Sequence, residues 1–248
     1  PGEINSRLGF VFKGGLIPYL RNIPLASRLN KTFQVPVTVL NDGDAAGLAE
    51  ARIGNLQNCD CGATFVLGTG VGLALTSNGS LISTWNLKDY LRWPSLGEKQ
   101  VTPEQKHYQT EILRHGIFSL VQNLGSAVNF VANASRLLEL PEEDGVQIFE
   151  VLEAGYHEEL QDLFASYCRE IAILIYNLQS LVRLEKVTIG GGISSQPLLL
   201  EEINHQYKSL MDESGEQRFS LVEIQAARYH NSSNLLGAVC HFNILENH

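Results

Sequence analysis

Asn41 and Asp42 stand at the end of a β-branched run, Val35-Pro36-Val37-Thr38-Val39-Leu40, and open an alanine-rich stretch. A carboxylate held at a strand end suits the deprotonation of a hydroxyl, which needs an acceptor within hydrogen-bond reach of the proton. Asn41 beside it can donate to hydroxyl groups and accept from them. The same residues have a plain structural use, because Asp42 or Asp44 can accept from the first N–H groups of a helix over Ala45–Ala51. For Asp44 that use is the expectation, and for Asp42 both uses stand. A second cluster, Gly68-Thr69-Gly70-Val71-Gly72, lets the backbone turn tightly and approach a ligand. Its successive N–H groups can bind phosphate oxygens, with the Thr69 hydroxyl as a further donor, while a tight β-hairpin uses glycines equally well. No Lys-Ser or Lys-Thr follows, so this is not a P-loop, and a strand rather than a helix follows, so it is not a dinucleotide fingerprint. A third cluster, Gly190-Gly191-Gly192, can clear space for a flat ring or a ribose, or serve as a flexible connection.

These clusters need elements to hold them. Val35–Leu40 reads as a strand rich in β-branched residues, followed by a helix from Ala45. Thr64–Leu67 reads as a strand entering the first glycine cluster, with Leu73–Leu75 returning and Asn78-Gly79 signalling a further hairpin to Leu81-Ile82. Phe10–Phe12 is a short apolar run before the turn residues Lys13-Gly14-Gly15. From Pro103 the pattern turns helical as far as about Leu140, with a break near Gly125. Pro141-Glu142-Glu143-Asp144 reads as the acidic start of another helix. Over 157–184, apolar residues recur every three or four positions, which predicts a buried core helix. Val187–Ile189 is a strand, a helix runs from Pro197 to about Met211, Leu221–Ile224 is a strand, and Asn234–Phe242 is a last helix with Ser232 or Ser233 as caps. Strands alternating with helices make this an α/β chain, and in such folds ligands collect at the carboxyl ends of strands.

Composition excludes several classes. The 248 residues carry 18 Lys plus Arg against 27 Asp plus Glu, a net charge of −9. That is a poor general binder of nucleic-acid backbones, although one loop of N–H groups can still bind a small phosphate ligand. The 44% hydrophobic content disfavours disorder, and no apolar run is long enough for a membrane span. Four scattered cysteines fit reduced thiols in a cytoplasmic protein. Cys59-Asp60-Cys61-Gly62 offers half of a zinc site, with no second Cys pair and no His nearer than His107, so it reads as a polar loop and no metal is expected. The other histidines (His115, His157, His205, His230, His241 and His248) show no clustered spacing and read as surface or core residues.

The order strand-Asn41-Asp42-x-x-Ala45-Ala46, then strand-Gly68-Thr69-Gly70-Val71-Gly72, then strand-Gly190-Gly191-Gly192-Ile193-Ser194 resembles the ROK family of bacterial sugar kinases and related repressors. The likeness is to the branch without the family's zinc motif. Pro1-Gly2, the stretch from Gly14-Gly15 through Asn22-Ile23-Pro24-Leu25, and Asn234-Leu235-Leu236-Gly237-Ala238 extend it over nearly the whole chain. The resemblance implies a two-lobed actin-like ATPase fold, related to ribonuclease H, here with an incomplete first lobe. Residues 1–60 with the last helix, 231–248, would make the smaller lobe, and 61–230 the larger. It implies Asp42 as the base on the acceptor hydroxyl, with Asn41, Gly14 and Gly15 beside the sugar. Gly68, Thr69, Gly70 and Gly72 would cradle the phosphates of ATP, with Gly190 and Gly191 near the adenosine. Mg²⁺ would accompany ATP, offsetting charge in the transfer. A homodimer is implied as well.

Three departures qualify the likeness. The family's opening strand and its Asp-x-Gly-Gly-Thr loop are absent, which predicts exposed sheet edges over Phe10–Leu40. The family's Ala-Gly-Glu motif has no match in Thr84-Trp85-Asn86-Leu87-Lys88-Asp89-Tyr90-Leu91, and Glu98 is the nearest candidate for its Glu. The Cys pair precedes the glycine loop, whereas the family's zinc motif follows it. Trp85, Tyr90 and Trp93 read as packing residues, with stacking on a sugar face as the alternative. The leading function is ATP-dependent phosphorylation of a hexose or amino sugar. The rival is a non-catalytic relative that binds a sugar or a partner, and a DNA-binding repressor is disfavoured by the charge.

Overall fold

The computed structural model describes residues 2–15, 17–82, 125–214 and 220–246. Trp85, Tyr90, Trp93, Glu98 and the helix expected from Pro103 lie outside the described residues up to Gly125. The first elements are β1 (Glu3–Asn5), antiparallel to β2 (Phe10–Lys13), then α1 (Leu25–Phe33). Val11 exchanges backbone hydrogen bonds with Ile23, which folds the chain back on β2. The expected strand over Val35–Leu40 is not formed. Its β-branched residues favour extended backbone, but a strand also needs a hydrogen-bonding neighbour, and none of the described strands lies beside it.

Then come α2 (Asp42–Ile53), β3 (Cys61–Leu67), β4 (Val71–Ser77) and β5 (Ser80–Ile82). Asn78 and Gly79, with φ of 49° and 73°, make the two-residue turn with positive φ at both positions that the Asn-Gly pair predicted. After the undescribed stretch follow α3 (Ala127–Leu137), α4 (Gly145–Ala154), α5 (Glu158–Leu181), β6 (Lys186–Gly191), α6 (Pro197–Ser214), β7 (Glu223–Ala226) and α7 (Ser233–Glu246). Asp144, at the end of the acidic run, is the N-cap of α4 and accepts from Val146 and Gln147. The last strand sits two residues beyond its expected place, because its position is set by pairing Glu223 with Lys186 rather than by its own apolar run.

β3 to β7 form one sheet in the order β5-β4-β3-β6-β7, with β4 antiparallel to both neighbours and β3, β6 and β7 parallel. Strand alternation divides the sheet's two faces. Ala63, Phe65, Leu67, Val187 and Ile189 join a core with Phe164, Ile171 and Ile175 of α5 and Leu199, Ile203 and Tyr207 of α6. On the other face Thr64 and Thr188 share a buried hydrogen bond of 2.8 Å, and α2 lies over Ala74 so closely that a side chain on Gly47 would overlap that methyl. α7 lies on α2 in turn, and a side chain on Gly237 would overlap the carbonyl oxygen of Ala45. The Tyr167 hydroxyl in this core donates to the Gly125 carbonyl at 3.3 Å, and burial pushes its pKa far up, so it stays protonated.

Candidate functional site

The amino end of α2 is built by Asn41. Its φ of −68° and ψ of 147° are extended, and its Oδ1 accepts from the N–H groups of Gly43 at 2.9 Å and Asp44 at 3.4 Å. The cap is therefore Asn41, where Asp42 or Asp44 was expected. Asp42 is instead the first residue of the helix and is exposed, with its Oδ1 3.1 Å from the Gly43 N–H. A carboxylate there also faces the positive end of the helix dipole. Replacing Asn41 by Ala removes the cap and is expected to cost about 1 kcal/mol, lowering the melting temperature by about 2–4 °C in a chain this size. Asn41→Ser retains an acceptor and largely restores stability; thermal unfolding by circular dichroism checks both.

The glycine clusters meet at the carboxyl end of β3. Val66 is paired with Gly72 of β4 on one side and with Gly190 of β6 on the other, and Leu67 faces Gly191. Gly68-Thr69-Gly70 is the three-residue connection to β4, with Thr69 exposed at its tip. Gly190 and Gly191 are the last residues of β6 rather than a loop after it. Gly191 has φ of 106°, and a side chain there would overlap the Leu67 carbonyl oxygen, so this close approach requires glycine. A Cβ on Gly192 would meet nothing within 4 Å among the described residues.

The start of α2 and the first glycine cluster are adjacent. A Cβ on Gly43 would sit 3.4 Å from the Cα of Gly72, so the first turn of α2 abuts the start of β4. The Nδ2 of Asn41 donates to the Gly2 carbonyl at 3.2 Å, and Gly2 packs on the backbone of Gly14 and Gly15. Asn41, Asp42, Gly14, Gly15, Gly68, Thr69, Gly70, Gly72, Gly190 and Gly191 are thus gathered through direct neighbours. Gly2, matched from the sequence only as part of Pro1-Gly2, adjoins them. Ser126 was not singled out from the sequence: its hydroxyl donates to the Gly68 carbonyl at 3.2 Å while accepting from the Asn129 N–H. A serine just after the helix break near Gly125 was the available signal for Ser126.

The cysteine pair is elsewhere. Cys61 begins β3, at the end opposite the glycines, and burial pushes both the Cys59 and Cys61 thiols up. Among the described residues no three His, Cys, Asp or Glu side chains are grouped to hold a metal ion, and no helix is long and apolar enough to cross a membrane.

The described sheet has the strand order and directions of a ribonuclease H-like lobe, and residues 1–86 and 99–243 match the ROK family. The chain belongs to the ROK family. Among proteins similar to this ROK chain is the β-glucoside kinase of Listeria monocytogenes, 29% identical over 98% of this chain and 76% of its own length. The solved Lmo2764 protein of the same organism superposes with a TM-score of 0.72 at 27% identity, covering 100% of this chain and 79% of that one. A ROK glucokinase of Streptomyces griseus, solved with glucose and AMPPNP, has a TM-score of 0.67 at 22% identity over 96% of this chain and 77% of that one. The fold of this ROK chain is accordingly the α/β, actin-like ATPase fold expected from its motifs.

Proposed function

We propose that this protein transfers the γ-phosphoryl group of ATP to a hydroxyl of a hexose or amino sugar. The observation that carries the reading is the contact between Gly43 and Gly72, which sets an exposed carboxylate, Asp42, beside a backbone cradle at the end of β3. The likeness to named sugar kinases supports it.

Asp42 accepts the proton of the attacking hydroxyl. The sugar oxygen forms a bond to the γ-phosphorus as the bond from that phosphorus to the β,γ-bridging oxygen breaks, and ADP leaves with the electron pair. The Gly68 N–H donates to the Gly70 carbonyl at 3.0 Å and shapes the turn, while the following N–H groups up to Gly72 and the Thr69 hydroxyl hold phosphate oxygens in line, and positioning of this kind is most of what phosphoryl transfer requires. The nucleoside lies beside the end of β6, at Gly190 and Gly191. Asn41, Gly14 and Gly15 border the sugar. Mg²⁺ would accompany the nucleotide and offset charge on its phosphates.

The test is ADP release with Mg-ATP against a panel of glucose, mannose, N-acetylglucosamine and a β-glucoside. Sugar-dependent ADP formation with at least one member is expected. ADP formation no higher with any sugar than without would overturn the reading.

A further inference from the structure

α2 is lined by small and apolar residues on its buried side: Gly43, Ala45, Ala46, Gly47, Leu48, Ala49 and Ala51. Glu50 breaks that pattern. It is 0% exposed, and both of its carboxylate oxygens are used by backbone donors. Oε1 accepts from the Arg228 N–H at 2.8 Å and Oε2 from the Asn55 N–H at 2.9 Å. Gly54 makes the fold-back possible, since a Cβ there would sit 2.5 Å from Oε2 and 2.7 Å from the Glu50 Cα. A buried carboxylate is retained only where its hydrogen bonds are satisfied, and this one serves two N–H groups that an apolar side chain would leave unpaired.

The same two chain segments are joined twice more. The Asn55 side-chain amide donates to the Ala226 carbonyl at 2.9 Å, and the Tyr229 hydroxyl donates to the Ile53 carbonyl at 2.8 Å. The Arg228 guanidinium lies 5.6 Å from the centre of the Tyr229 ring. The turn fastened this way, 226–229, is the neighbour of the second glycine cluster. The Ala227 N–H donates to the Ile189 carbonyl at 2.8 Å, and a Cβ on Gly190 would sit 3.5 Å from the Ala227 Cβ.

α2 therefore has a job at each end. Its first residue is Asp42, and its last turn carries the clamp on the strand end beside Gly190. Twelve residues of helix make a strut of about 18 Å between them. We propose that Glu50 is a positioning residue which locks the 226–229 turn to α2 and so holds the Gly190–Gly191 side of the nucleotide site in place relative to Asp42. The proposal rests on the kinase reading for the identity of the ligand.

Titration calorimetry with Mg-AMPPNP tests it, in wild type, Glu50→Gln and Tyr229→Phe. Glutamine keeps the shape and one acceptor oxygen, but its NH₂ group faces the second N–H. Glu50→Gln is expected to bind Mg-AMPPNP roughly tenfold more weakly, the size of losing a hydrogen bond to a charged group, with sugar affinity unchanged. Tyr229→Phe loosens the same turn without touching the carboxylate, and shifts affinity in the same direction by less. A merely structural role would lower the binding stoichiometry, through a smaller folded fraction, and leave the dissociation constant alone. Wild-type dissociation constants in Tyr229→Phe and in Glu50→Gln, or in Tyr229→Phe alone if the other variant does not fold, overturn the proposal. Folded wild type that does not bind Mg-AMPPNP overturns the kinase reading instead.

Discussion

Asp42→Asn is expected to reduce sugar phosphorylation about a thousandfold, the middle of the range for loss of a general base and equivalent to roughly 4 kcal/mol of transition-state stabilisation. The substitution changes little else. The introduced asparagine would keep an Oδ1 acceptor for the Gly43 N–H, which Asp42 now meets at 3.1 Å, and the Asn41 cap is untouched. The lost charge at the first turn costs about 0.3–1 kcal/mol through the helix dipole, too little to unfold a domain. Sugar and nucleotide binding therefore survive while turnover does not. Steady-state kinetics set beside calorimetric sugar binding read both quantities. Turnover within tenfold of wild type would remove Asp42 from the role of base.

Gly237→Ala is expected to be strongly destabilising. The added carbon would overlap the Ala45 carbonyl oxygen, which is backbone and cannot swing aside as a side chain would. Forced overpacking of this kind costs about 3 kcal/mol, and at this chain length that lowers the melting temperature by about 6–12 °C. Activity falls as well, because the Ala45 N–H donates to the Asn41 carbonyl at 2.8 Å, so a shift at Ala45 pulls on the turn that carries Asp42. Val239→Ala is the control. Val239 lies on the same helix but is 57% exposed, and its truncation stays within about 0.5 kcal/mol. Equal melting temperatures for Gly237→Ala and wild type would show that α7 can move off α2 freely.

Local signals carried much of this fold. The Asn78-Gly79 turn, the core helix over 158–181 and the strands running into each glycine cluster are encoded by neighbours in sequence, and they form where the residues predicted. The exceptions depend on distant partners. Val35–Leu40 has strand-forming residues without a neighbouring strand to pair with. The register of Glu223 against Lys186 moved the last strand, and nothing near Leu221 records it. Asp42 or Asp44 was expected to cap α2, and the extended backbone of Asn41 made it the cap instead. Glu50 stands near the end of an alanine-rich helix. Its partner Arg228 lies 178 residues away, so its burial has no local signature.

The gathered site also has a simple proton inventory. Its glycines, its threonine, its asparagine and the neighbouring Ser126 carry no group that exchanges a proton near neutral pH. In the proposed function an anion at the end of β3 would be held by fixed peptide dipoles, whose strength does not change as the solution is acidified or made alkaline. Protons taken up or released when a phosphorylated ligand binds would then come first from the ligand's own phosphates. Binding heats measured in buffers of different ionisation enthalpy would count those protons.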